Sequence, residues 1–225
     1  MVYITGDIHG DMSRFSSPDM RRVKKGDTLL VCGDFGFVWT GSKKEKKLLK
    51  KLGRLPYTVA FLDGVHENYD LLAAYPVEEW NGGRAQILDG RLVHLLRGEI
   101  YNIEGSRFFA FGGGQSPERD IREEHETWWE AEMPSEAEMT GGLARLAENG
   151  NRIDYILTHE PSGKANGYLS AKRALDGLNV YLNQLEEQVN YRHWYFGSLH
   201  RDRQLSKQHT AVFRRVLPVE QPSQT

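Results

Sequence analysis

A chain of 225 residues, 39% hydrophobic and 27% charged, is sized and composed for one folded domain rather than for a fibre or a disordered segment. Its 29 Lys and Arg stand against 31 Asp and Glu, and a formal charge of -2 argues against a sequence-independent grip on nucleic acid. No apolar run approaches the ~20 residues of a membrane span, no basic segment precedes the first apolar run, and one cysteine, Cys32, leaves no internal disulfide, so a cytoplasmic protein is expected.

The elements begin with VYITGD (2–7) and TLLVCGD (28–34), continuous apolar runs that read as strands buried on both faces. Residues 41–53 set Leu48, Leu49 and Leu52 among lysines, the stripe of a charged surface helix. TVAFLDG (58–64) is a third buried strand, with a helix expected over 66–75. Strand and helix are thus expected to alternate three times, the pattern of an α/β sheet. AQIL (85–88), LVHLL (92–96), EIYNI (99–103) and RFFAFGG (107–113) then read as a meander of hairpins, turned at pairs such as Asp89-Gly90 and Glu104-Gly105. Residues 113–134 have no clean period and read as a long loop. Ser135 and Glu138 make a capping box for a helix running to about Ala147. DYILTH (154–159) is a further buried strand. A helix over 170–189 carries Leu175, Leu178, Leu182, Leu185 and Val189 on one face. HWYFGSLH (193–200) opens a last strand region reaching Leu217. One domain over 1–217 and a disordered polar tail over 218–225 are expected.

The residues fit for chemistry gather where strands stop: Asp7 and His9 in GDIHG, Asp34 in GDFG, His66 in DGVHEN, His159 in THEP and His200 in GSLH. Ligands of α/β sheets sit beyond the carboxyl ends of the strands, so six metal-competent side chains at five such ends point to a common centre. Mixed carboxylate and imidazole donors without a thiolate cluster suit Mn, Fe, Zn or Ni. Taken singly, an Asp after Gly at a strand end is a turn residue or a helix cap; the joint pattern carries the metal reading.

That pattern resembles the calcineurin-like metallophosphoesterases, whose blocks run D-x-H, G-D-x-x-D or a shortened form, G-N-H-[ED], a lone H after a strand, and G-H-x-H. Here they read GDIHG (6–10), GDFG (33–36), GVHE (64–67), THE (158–160) and GSLH (197–200), in order over about 200 residues. YPVEEWNGG (75–83) and WWEAEMPS (128–135) resemble phrases of a compact bacterial and phage branch. The resemblance implies an α/β fold, a four-layer β-sandwich flanked by helices, and two divalent metals ~3.5–4 Å apart that clamp a phosphate ester. It implies Asp7, His9 and His200 on the first metal, Asp34 bridging both, His159 on the second, and His66 serving the leaving group.

Two positions depart from the family. Val65 stands where the motif has asparagine and Ser198 where it has histidine, and both losses fall on the second metal. One intact metal site, most simply Mn, and a degraded second site are therefore expected. Glu160, Glu67 and Asp202 are the oxygen donors near enough in sequence to rescue the second. Two functions follow: an attenuated, one-metal phosphoesterase acting on a small phosphate ester or nucleotide, or an inactive relative that binds metal and phosphate.

Other features read as structure. Asp34-Phe35-Gly36 has no kinase context. Gly112–Gly114 is a turn, and Trp128 and Trp129, after Arg119 and Arg122, pack a loop rather than cover a nucleotide. The lysines at 43, 44, 46, 47, 50 and 51 form a solvated face, and Cys32 is a packed thiol.

Overall fold

The computed structural model describes residues 1–116, 121–167 and 176–219. Strands β1 (Val2–Thr5), β2 (Thr28–Val31) and β3 (Thr58–Phe61) run parallel side by side. Four more, β4 (Val77–Trp80), β5 (Gly83–Asp89), β6 (Leu92–Leu95) and β7 (Glu99–Ile103), precede β8 (Ser106–Phe111). The chain continues through β9 (Tyr155–Thr158), β10 (His193–Phe196), β11 (Arg203–Gln204), β12 (His209–Ala211) and β13 (Leu217–Pro218). They form two sheets, ordered β13-β1-β2-β3-β6-β5-β4 and β11-β12-β10-β9-β8-β7.

The period-2 alternation of the strands explains the layering. Val2, Ile4, Leu30 and Cys32 face inward and meet Phe108, Ala110, Tyr155 and Leu157 of the other sheet in one core. Their neighbours Tyr3, Leu29 and Val31 face outward, where Leu49 and Leu52 of α1 (Lys43–Gly53) and Leu72 of α2 (Tyr69–Ala73) cover them. On the far side Phe109, Phe111 and Ile156 pack under Leu146 of α3 (Glu136–Glu148) and under Leu178, Leu182 and Leu185 of α5 (Gly177–Gln188). A short helix, α4 (Gly163–Gly167), precedes α5. Helix, sheet, sheet and helix make four layers, the mixed α/β sandwich expected, and strands buried on both faces read as unbroken apolar runs for this reason. The six lysines of α1 are exposed, and Cys32 is buried.

Several expectations are corrected. The segment between β1 and β2 holds two single 3-10 turns, Met12–Ser16 and Met20–Arg22, instead of a helix. Its serines and Pro18 favour capped turns over continuous helix. The expected meander is two hairpins in different sheets: β5 pairs β6 in one and β7 pairs β8 in the other. β4 was not expected, although Asn81 and Gly82, both at positive φ, are the Asn-Gly signal of the hairpin that joins it to β5. The tail begins later than 218: Pro218 pairs with Tyr3, and Val219 is buried and donates its N–H to Val2. Residues 220–225 lie outside the described residues, as do Arg119 and the expected helical start up to Leu175.

The capping box of α3 is present in both directions: Ser135 accepts from Glu138 N, and Glu138 accepts from Ser135 N at 2.8 Å. Replacing Ser135 with Ala is expected to lower unfolding stability by about 1 kcal/mol. A urea titration of both proteins measures this.

Candidate metal centre

The parallel strands β1, β2 and β3 of one sheet and β9 and β10 of the other deliver their carboxyl ends to one rim. The loops beyond them interlock: His9 donates its N–H to Asp34 O at 2.9 Å, and Asp7 donates to Gly33 O at 3.2 Å. Sheet-to-sheet contact at this rim leaves no room for side chains at two glycines. A Cβ on Gly33 (φ +82°) would lie 2.2 Å from Nδ1 of His159, and one on Gly197 would lie 2.2 Å from Cys32 O and 2.9 Å from Asp7 Oδ2.

Asp7, His9, Asp34 and His200 all adopt left-handed backbone, with φ between 45° and 51°, and Ser198 does so at 63°. Such conformations cost non-glycine residues about 1 kcal/mol or more each and collect where surrounding structure imposes them for function. The same four residues place one donor atom each within 4.8 Å of the others. Nε2 of His9 and Nε2 of His200 converge to 2.9 Å, and Nε2 of His200 lies 3.7 Å from Asp7 Oδ1. His66 Nδ1 donates to Asp34 Oδ2 at 3.0 Å. His159, fully enclosed, sits between the carboxylates: its Nε2 is 3.5 Å from Asp34 Oδ1 and its Nδ1, 4.0 Å from Asp7 Oδ1, donates to Cys32 O. All six strand-end residues are thus brought together.

Burial pushes the Asp7 carboxyl up to about 7, with the charge of Asp34 adding to the effect. Burial works the same way on Asp34, but His159 and His66 outweigh it and hold that carboxyl well below its ordinary range. Burial lowers His9 to about 4, so its ring is neutral at pH 7 with a lone pair to offer. Burial opposes charge on His159 as well, yet Asp34 and Asp7 raise it to about 9.

The donor set fits one divalent cation. Asp7 Oδ2 is buried without a hydrogen-bond partner, and two neutral-capable imidazole nitrogens point at the same space, an arrangement that a cation relieves. Val65 offers hydrocarbon, Ser198 uses its N–H on Asp7 Oδ1 at 3.0 Å, and Asp34 Oδ1 already accepts from the amides of Val65 and His66 at 2.7 and 3.0 Å.

The family model for calcineurin-like phosphoesterases matches residues 1–202. The chain belongs to that family. No curated protein matches it significantly. Membership carries metal-dependent phosphoester chemistry at the level of the family, and with it a divalent cofactor for which the Asp7, His9, Asp34 and His200 cluster is the candidate seat.

Around this phosphoesterase centre, two of the three sequence-nominated rescue donors are committed elsewhere. Glu67 accepts from the amides of Phe35 and Gly36, and Asp202 accepts from those of residues 213–215. The buried Glu160 and Val65 both pack against Gly114, where an added Cβ would meet each side chain at 3.1 Å. Gly113 and Gly114 spend their amides on Asp63 O and Glu132 O, tying this segment to the β3 end and to the loop before α3. Trp129 is buried, stands edge-on to Trp39 and donates to Asp70 Oδ2 at 2.8 Å, which anchors the loop to α2.

Sequence reasoning passed over three supports. Arg14 donates to the carbonyls of Gly6, Asp7 and Phe213 and ties the β1 end to the last loop. Glu67 shapes the Asp34 loop as described. Asp63 binds Arg97 Nε at 2.8 Å and His94 Nε2 at 3.2 Å, fixing the strand end that precedes Gly64. For Asp63 the signal was available as an Asp-Gly pair closing an apolar run; for Arg14 none was.

Proposed function

We propose that this calcineurin-like protein hydrolyses a small phosphate ester or nucleotide with one firmly held metal, Mn²⁺ by preference, and turns over slowly because the second metal seat is degraded. The observation that carries the reading is the convergence of Asp7, His9, Asp34 and His200, with an orphaned Asp7 oxygen at its centre. Asp7, His9, His200 and Asp34 would hold the cation, and His159 would be the remaining donor on the second side. When bound, the metal supplies a Lewis acid for a phosphoryl oxygen and lowers the pKa of a coordinated water.

The chain's own residues do the rest. Asp34 Oδ2 accepts the Nδ1–H of His66, so in the doubly protonated ring Nε2–H is the bond that breaks to pass its proton to the departing oxygen, and the ring is left neutral with its proton on Nδ1. His159 sits between Asp7 and Asp34 and balances their charge from behind. The single-domain organisation over 1–217, extended by the packed residues 218 and 219, and a reducing cytoplasmic setting belong to the same reading. The lone buried Cys32 supports that setting, and no helix of the described residues is long and apolar enough to cross a membrane.

The second reading, a metal- and phosphate-binding relative without turnover, is favoured by Val65 and Ser198. Hydrolysis of an aryl phosphomonoester and diester with Mn²⁺ separates the two: product that tracks with the purified protein and disappears with chelator excludes the binder. His66→Ala is expected to lower kcat by about 10²–10⁴-fold, with its melting curve retained. An unchanged kcat would remove His66 from proton transfer.

A further inference from the structure

A groove of about 470 Å³ opens beside the metal cluster, its walls including Asp7, His9, Ser13, Arg14, Phe213 and Arg214. The ring of Phe213 stacks on His200 at 5.1 Å. Two guanidinium groups meet on the same ring, with Arg14 Cζ 5.4 Å and Arg214 Cζ 5.3 Å from its centroid. Arg14 is anchored by carbonyl oxygens and the Thr5 hydroxyl, with the carboxylates of Asp202, Asp7 and Asp11 near enough to favour its charge. Two of these carboxylates form their hydrogen bonds elsewhere. Asp11 accepts from Ser13 N and Ser13 Oγ, both at 2.8 Å, and Asp202 accepts from the amides of Phe213, Arg214 and Arg215. Among the described residues neither guanidinium has an ion-pair partner within 4 Å.

Two guanidinium groups over one ring, in a groove beside the metal cluster, set cationic donors where an anion can share the space. A guanidinium is the side chain best suited to a phosphoryl group, and the volume admits more than a single phosphate. The walls hold Asp7 and His9 but not His66, so the occupant belongs to the part of the substrate that His66 does not release.

We propose that Arg14 and Arg214, meeting across Phe213, form a subsite for a second phosphoryl group, and that the substrate is a phosphate ester carrying that group on its retained side. This rests on the phosphoesterase reading above and goes beyond it by naming the substrate class. Arg214 is the specificity-determining residue, because its exposed side chain can be changed without disturbing the backbone that Arg14 clamps.

The test is calorimetric titration, with and without Mn²⁺, of a short alkane bisphosphate and the matching alkyl monophosphate into the full chain, Arg214→Ala and Arg214→Lys. The bisphosphate is expected to bind at least about tenfold tighter than the monophosphate. Arg214→Ala should shrink that preference to within about twofold, and Arg214→Lys should keep part of it. Absence of a preference, or one that survives Arg214→Ala, overturns the subsite; metal-dependent binding of the monophosphate would then leave the phosphoesterase reading standing. Failure of both anions to bind in the presence of Mn²⁺ overturns that reading and the subsite with it.

Discussion

Asp34→Asn is expected to release the metal and to lower turnover by at least about 10³-fold, or about 4 kcal/mol of transition-state stabilisation. Asn is isosteric, and its oxygen can still accept the amides of Val65 and His66 that now end on Asp34 Oδ1. What disappears is the charge, which His159 and His66 keep on Asp34 even against its burial. Without it the cation loses its most firmly ionised donor, because burial holds Asp7 near neutrality at about 7. His66 loses the carboxylate that fixes its tautomer, so binding and proton transfer should fail together. Metal content after gel filtration and the initial rate with Mn²⁺ measure the two effects separately. A variant that retained its metal and turned over within about threefold of the parent would show that this cluster is not the centre.

The double substitution Val65→Asn, Ser198→His should move the protein in the other direction. Metal content is expected to rise from one equivalent to two, and turnover by about 10²–10³-fold, the usual size of an added electrostatic contact at a reacting phosphorus. The backbone is ready for both: Ser198 is already in the left-handed region that His9 and His200 adopt a few ångströms away, and Val65 already presents its amide to Asp34. His159 is poised beside Asp34 and would complete the seat after giving up its proton. If the parent already holds two equivalents, the buried Glu160, packed like Val65 against Gly114, is the oxygen donor that supplies the second, and Glu160→Gln should return the count to one. One equivalent in both proteins would instead show that the second seat is lost for reasons beyond these two side chains. Activity confined to the double variant would make the parent a binder.

Much of this molecule was legible because its signals are local. An apolar run buried on both faces looks the same wherever its sheet partners lie, and a capping box such as Ser135 and Glu138 needs only four consecutive residues. The six strand-end side chains, with Val65 and Ser198 interspersed, could be read in order along the chain. Sheet membership could not, because β1 pairs with β13 and the β5–β6 and β7–β8 hairpins separate into different sheets through contacts remote in sequence.

The same division runs through the site. Residue types and order determined that carboxylates and imidazoles would meet at strand ends, since a strand end projects its next residues past the sheet edge whatever the rest of the fold does. Only the tertiary structure decided that Asp7 Oδ2 is buried without a partner, that His159 lies locked between two carboxylates, and that Arg14 and Arg214 both reach the Phe213 ring. Those features depend on desolvation and charge proximity between segments up to about 200 residues apart, quantities that exist only once two sheets have closed on each other.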